Sequence, residues 1–191
     1  MRTRPAEERR AQLMKAAERL FLKRGVAATT IEQITTGARV AKGTFYLYFT
    51  SKEDVLAALE ERFSGEHLAK IRKAVDAVAP SDWNGKLAAW AASGVASYLD
   101  SIELHDILFF GSRPPTREGL VDNIVIDHLA GLLRSGAEAG AWTLEDCRFA
   151  AVFLFSGLHA AVDDAYNKEK RVNRSRLVKR LQSLFSRIVA S

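Results

Sequence analysis

The sequence predicts an all-α protein. Apolar residues recur at helical spacing along nearly the whole chain. No stretch sustains the period-two alternation of a half-buried strand. Three capping boxes, Thr30-Ile31-Glu32-Gln33, Ser51-Lys52-Glu53-Asp54 and Thr143-Leu144-Glu145-Asp146, each stand at the start of such a periodic run. The 191 residues are 48% hydrophobic and 27% charged, which gives one domain or two small ones with a core large enough to need no staples. A single cysteine, Cys147, excludes a disulfide framework and a paired-cysteine zinc site.

The elements follow in order. A first helix runs from about Pro5 to Arg24 on the stripe Leu13, Ala17, Leu20 and Phe21, and Gly25 closes it. The first capping box opens a short helix with Ile31, Ile34 and Ala38 inward. A tight turn over Gly37–Val40 leads to a second short helix, about Ala41–Leu47. The second box starts a longer connecting helix, over 51–78, with Val55, Leu56, Leu59 and Phe63 on one face. Past the Ala79-Pro80-Ser81-Asp82-Trp83-Asn84-Gly85 junction, helices fit at about 84–101, 103–111, 117–139, 144–166 and 174–190. The expected domains are therefore 1–50, with the start of the connecting helix, and 79–191.

Charge is unevenly spread. Residues 1–50 carry net +6, residues 51–167 net −8 and residues 168–191 net +7. A basic first quarter suits a polyanion, with nucleic acid as the default, although a solvated charged helix face would read the same. Two short helices joined by a tight turn inside a basic three-helix unit describe a helix-turn-helix DNA reader, whose second helix enters the major groove. The expected DNA-facing residues are Thr30, Arg39, Lys42, Gly43, Thr44, Tyr46, Tyr48 and Lys52. Lys42 is a cation at the start of the reading helix, and Gly43 permits close backbone approach. Thr44 can meet a base edge or a thymine methyl. The tyrosines can donate to phosphates, and Lys52 stands at a helix N-terminus that already favours an anion. Phe45 and Phe49, at i and i+4, belong to the core.

The stretch Thr29-Thr30-Ile31, Ile34 and Ala38-Arg39-Val40-Ala41-Lys42-Gly43-Thr44-Phe45-Tyr46-Leu47-Tyr48-Phe49-Thr50-Ser51-Lys52-Glu53-Asp54-Val55-Leu56 closely resembles the N-terminal domain of TetR-type bacterial transcriptional regulators. The resemblance covers about residues 7–60. It departs where many members have Ala-Gly-Val-Ser. Here Arg39 replaces a turn glycine and Ala41 lacks the serine hydroxyl. The resemblance implies an all-helical homodimer bound to a palindromic operator in double-stranded DNA, with a C-terminal ligand-binding and dimerisation domain.

Under that resemblance the dimer face falls on the last two helices, at Phe149, Phe153, Gly157, Ala160, Leu177, Leu181, Leu184, Phe185 and Ile188. From periodicity alone the final stripe would as readily be intramolecular core. The basic face of the last helix, with Arg174, Arg176, Lys179, Arg180 and Arg187, reads as solvated surface or as a second contact with DNA or an acidic partner. Aromatic and polar residues of the middle helices, Trp90, Tyr98, His105, Phe109, Phe110, His128, Phe153 and His159, are the expected walls and polar contacts of a pocket for a small-molecule ligand, although a packed core would look alike. His159 and Asp163 share a helix face, as a ligand-orienting pair or as a satisfied histidine. The lack of Lys or Arg over 149–163 favours a neutral or cationic ligand over an anionic one.

Enzymatic motifs are missing. There is no Gly-rich phosphate loop, no G-x-S-x-G elbow and no H-E-x-x-H, and no glutamate stands three residues before any histidine. No metal and no cofactor is expected. With no signal peptide and no run long enough to span a bilayer, the expectation is a soluble, cytoplasmic regulator with no membrane partner. The rival reading keeps the fold and drops the inducer, leaving an architectural or protein-partnered DNA-binding protein.

Overall fold

The computed structural model describes residues 6–109, 122–169 and 171–190. The described residues hold helices α1 (Ala6–Arg24), α2 (Ile31–Ala38), α3 (Lys42–Phe45), α4 (Lys52–Asp76), α5 (Trp83–Asp100), α6 (Ile102–Phe109), α7 (Ile124–Glu138), α8 (Cys147–Lys168) and α9 (Arg174–Val189), and no strand. None of these helices is long and apolar enough to cross a membrane.

The chain divides into two compact units, and the division is not at the 79–85 junction. It falls within α4, after Phe63, and α6 belongs with the N-terminal elements. The reason is burial. Leu108 is 3% exposed in the core that Leu13, Ala17, Phe21, Ile34, Phe45, Phe49, Val55 and Leu59 form, with Leu104, Ile107 and Phe109 packed around it. Within this first unit α1 lies close against α2. A Cβ on Gly37 would stand 3.4 Å from that of Ala16 and 3.2 Å from Arg19 Nη2, so glycine permits the approach. α1 stops at Gly25, whose φ of +78° suits glycine and whose N–H donates to Phe21 O at 2.8 Å.

The second unit holds the rest of α4 with α5, α7, α8 and α9. Its core includes Leu87, Trp90, Val95, Tyr98, Ile126, Leu129, Leu133, Leu154, Leu158 and Val162. α5 packs on α8 and α9, and α7 packs on α8. Side chains start four of these helices: Asp82, Asn123, Asp146 and Asn173 each accept a backbone N–H of the first turn. The third expected capping box is therefore displaced. Asp146, not Thr143, caps α8 by accepting from Phe149 N at 2.9 Å, because it stands directly before the apolar run. Trp142 folds over Gly136 of α7 in a contact that leaves no room for a Cβ, and its indole donates to Leu133 O at 2.8 Å.

Candidate functional site

The helix-turn-helix is built by caps and two phenylalanines. Thr30 Oγ1 accepts from Gln33 N at 3.2 Å, and Gln33 Oε1 accepts from Thr30 N at 3.1 Å, so both halves of the capping box form. α2 ends on Arg39 at φ 57°, ψ 46°, the left-handed region that costs a side chain about 1–2 kcal/mol relative to glycine. Arg39 N donates to Thr36 O at 3.1 Å and Val40 N to Thr35 O at 3.0 Å, and these bonds hold the turn. α3 is one turn long, shorter than the expected Ala41–Leu47. Phe45 and Phe49 are both buried, and the backbone between them tightens into bonds from Leu47 N to Thr44 O and from Tyr48 N to Phe45 O.

This anchoring decides which side chains face outward. Tyr46 is 54% and Leu47 77% exposed, Thr44 and Tyr48 are half-buried, and Tyr48 packs against the core. Gly43 is exposed, and a Cβ there would meet nothing within 4 Å, so the packing of the chain itself does not require a glycine. Lys42 is exposed and paired with Glu32, Nζ to Oε1 at 2.8 Å. Each group favours the charged form of the other, which raises the lysine pKa and lowers the glutamate's. Thr30 and Arg39 are exposed at the two ends of α2. The surface thus presents a cation, hydroxyls and an apolar tip in one turn, which suits phosphate and base-edge contacts.

Two residues depart from expectation. Lys52 is no free surface cation. Its Nζ donates to Val26 O at 2.7 Å, Thr29 O at 3.0 Å and Ala27 O at 3.4 Å, closing the turn after α1. Leu47 lies outside the expected set. Its signal is that Phe45 and Phe49 already claim the inward positions, which leaves the residue between the tyrosines facing out.

The expected ligand residues do not converge. His105 and Phe109 lie in the first unit, where the imidazole clusters with the rings of Phe63 and Phe109 and has Nδ1 3.5 Å from Asp106 Oδ1. Phe110 lies outside the described residues. Phe153 is 58% exposed and so walls no interior. His128 is half-buried beside a shallow groove with Val75, Pro80, Trp83 and Leu132. Trp90 and Tyr98 are each 1% exposed, as core residues. Tyr98 and His159 do meet, with ring centroids 4.7 Å apart. Tyr98 OH donates to Asp163 Oδ1 at 2.7 Å, and His159 Nδ1 lies 2.9 Å from Phe155 O and is read as its donor. Helical spacing alone does not separate core aromatics from pocket walls.

Burial disfavours the charged form of the three histidines of the second unit. It lowers His159 and His128, and it pushes His67 down to about 4, with His159 and Lys70 adding to the shift. The unfolded chain takes up this proton near pH 6.5 and the folded chain only near pH 4. The stabilisation is complete above pH 6.5 and is lost as pH falls toward 4. Between neutral pH and about pH 5 the second unit should lose roughly 1 kcal/mol per pH unit. A melting series should show this, and His67→Phe should flatten it.

The expected dimer residues also divide. Phe149 (69%), Phe153 (58%), Gly157 and Ala160 form an exposed, mostly apolar face on α8, and Leu184 of α9 is 46% exposed. Leu177, Leu181 and Phe185 are 8%, 4% and 2% exposed and belong to the interior of the protomer, where α9 packs on α5, and Ile188 is half-buried. Gln182 reinforces that packing by donating to Ala88 O at 2.9 Å.

Comparison with known proteins agrees with this geometry. The sequence profile of the bacterial regulatory proteins, tetR family, matches residues 13–59. The HTH-type transcriptional regulator TtgR of Pseudomonas putida is 42% identical over 77 residues, covering 39% of this chain and 37% of that protein. The chain thus matches little more than a third of this curated relative's length. Among solved structures, the fatty acid degradation regulator FadR from Bacillus halodurans is 27% identical, with a TM-score of 0.76 over 97% of this chain and 96% of that one. The FadR of Bacillus subtilis, solved with stearoyl-CoA, is 22% identical with a TM-score of 0.75 over 92% and 97%, and shares the fold. Residues 13–59 thus form a helix-turn-helix domain of the kind found in the tetR family of bacterial regulatory proteins.

Proposed function

We propose that the chain is a sequence-specific DNA-binding transcriptional regulator, a cytoplasmic homodimer that represses from a palindromic operator and is released by a small, mostly apolar ligand. The observation that carries this reading is the reading turn itself. Thr44, Tyr46 and Leu47 are held outward by the buried Phe45 and Phe49, with Lys42 at the helix start and open space at Gly43. Arg39 and Thr30 flank that surface. Lys52 serves it indirectly, by fixing α4 to the turn after α1. One such turn offers few base contacts, so specific binding requires two copies related by a two-fold axis. The exposed Phe149, Phe153, Gly157 and Ala160 of α8 and Leu184 of α9 are the surface for that pairing.

The ligand acts through the second unit, where the rings of Tyr98 and His159 lie 4.7 Å apart and are its expected polar contacts. The burial of Trp90 and Tyr98 supports the rival reading, in which this unit only dimerises. Selection from a random duplex pool tests the first claim. The protein should enrich a palindrome, and Thr44→Ala should change one or two positions per half-site, each base discrimination being worth about 1–3 kcal/mol. No enrichment would refute sequence-specific reading. Titrating candidate apolar compounds with and without operator tests the second. A true inducer binds more weakly when operator is present, by the same factor that it weakens the operator complex.

A further inference from the structure

Glu32 is out of place for a surface meant for phosphates. Between Glu18 and Glu53 it is the only carboxylate, against the cations Arg19, Lys23, Arg24, Arg39, Lys42 and Lys52. It stands in the first turn of α2, where free N–H groups and the helix dipole attract an anion. Its Oε1 accepts from Lys42 Nζ at 2.8 Å. The ammonium at the start of α3, which would draw a DNA phosphate, is thus already paired with a carboxylate, and that carboxylate also places negative charge beside the start of α2. Thr30 and Gln33 cap α2 without it, so the helix does not depend on Glu32 for its N-terminal bonds.

We propose that Glu32 is an affinity-limiting residue that occupies the place of a phosphate on the reading surface and keeps Lys42 from gripping the DNA backbone at full strength, whatever the sequence. This rests on the DNA-binding reading above. On non-specific DNA, breaking the Glu32–Lys42 pair brings only one phosphate contact and leaves a carboxylate facing the polyanion, so the pair stays closed. The operator presents the same phosphates, so the pair competes for Lys42 there too. The pair therefore lowers the backbone part of binding on every duplex and leaves base contacts to set the sequence preference.

The test uses the full chain, a random-sequence duplex and an operator selected with the parent protein, each titrated over a salt series. Glu32→Gln should bind the random duplex roughly three- to tenfold tighter, with a salt slope steeper by about one. Operator affinity should rise by at least the same factor. In a Lys42→Gln background the same substitution should leave the slope unchanged. Melting of Glu32→Gln by circular dichroism should match the parent closely. If Glu32→Gln leaves random-duplex affinity and slope at the parent's values, or weakens them, the proposal is overturned and Glu32 merely supports α2 or positions Lys42. A parent that binds no duplex even at low salt sinks the DNA-binding reading, and this proposal with it, before any variant is compared.

Discussion

Leu181→Glu will unfold the second unit, whereas Phe153→Glu will leave each protomer folded and split the dimer. Leu181 is 4% exposed on the face of α9 that packs against α5. A carboxylate there has no partner, and an uncompensated buried charge costs about 3–5 kcal/mol, a large share of the stability of a unit this size. Phe153 is 58% exposed on α8 and touches little of its own chain. Its replacement should change protomer stability by less than about 0.5 kcal/mol. In the proposed dimer the partner would cover this position, and a carboxylate there would be buried without a counter-charge. Light scattering and circular dichroism separate the two outcomes. A folded, monomeric Leu181→Glu would place the dimer face on the stripe of α9. A Phe153→Glu that stays dimeric would remove α8 from the interface.

Lys52→Met will lower the stability of the first unit by about 2 kcal/mol, the loss expected when charge-assisted hydrogen bonds are removed from part-buried acceptors. For a unit of this size that is roughly a 10 °C fall in melting temperature. The ammonium has three protons and three carbonyls to meet, at Val26, Ala27 and Thr29, more than twenty residues away in sequence. A cation in the first turn of α4 opposes the helix dipole. It is tolerated because it points back onto these carbonyls. Methionine keeps the apolar stem and leaves the carbonyls without their donor. Well below its melting point the variant should keep the parent's salt slope on DNA. A slope shallower by one with an unchanged melting temperature would make Lys52 a phosphate contact instead.

Local signals were legible in the sequence because they are local. The capping box at Thr30 and Gln33, the stop at Gly25 and the inward Phe45 and Phe49 each depend on residues within one or two turns. What the sequence left open depends on partners far along the chain. Lys52 reads as a surface cation until the turn at 26–29 is placed beside it. The stripe of α9 has the same spacing whether it meets α5 or a second chain, and the structure gives it to α5. His105 and His159 look alike as polar residues among aromatics, yet they lie in different units. The division inside α4 leaves no mark in composition, because a continuous helix can serve two cores.

The three tryptophans have a practical consequence for all of these measurements. Trp83, Trp90 and Trp142 lie in the second unit, and the first has none. Trp90 and Trp142 are nearly sealed from water, while Trp83 carries the ammonium of Lys86 over its ring at 4.2 Å. Intrinsic indole emission is therefore a private signal of the second unit, blind to events in the helix-turn-helix. Ellipticity, by contrast, counts the helices of both. Recording the two together on one sample assigns any lost cooperativity to its unit without a label, a truncation or a second protein.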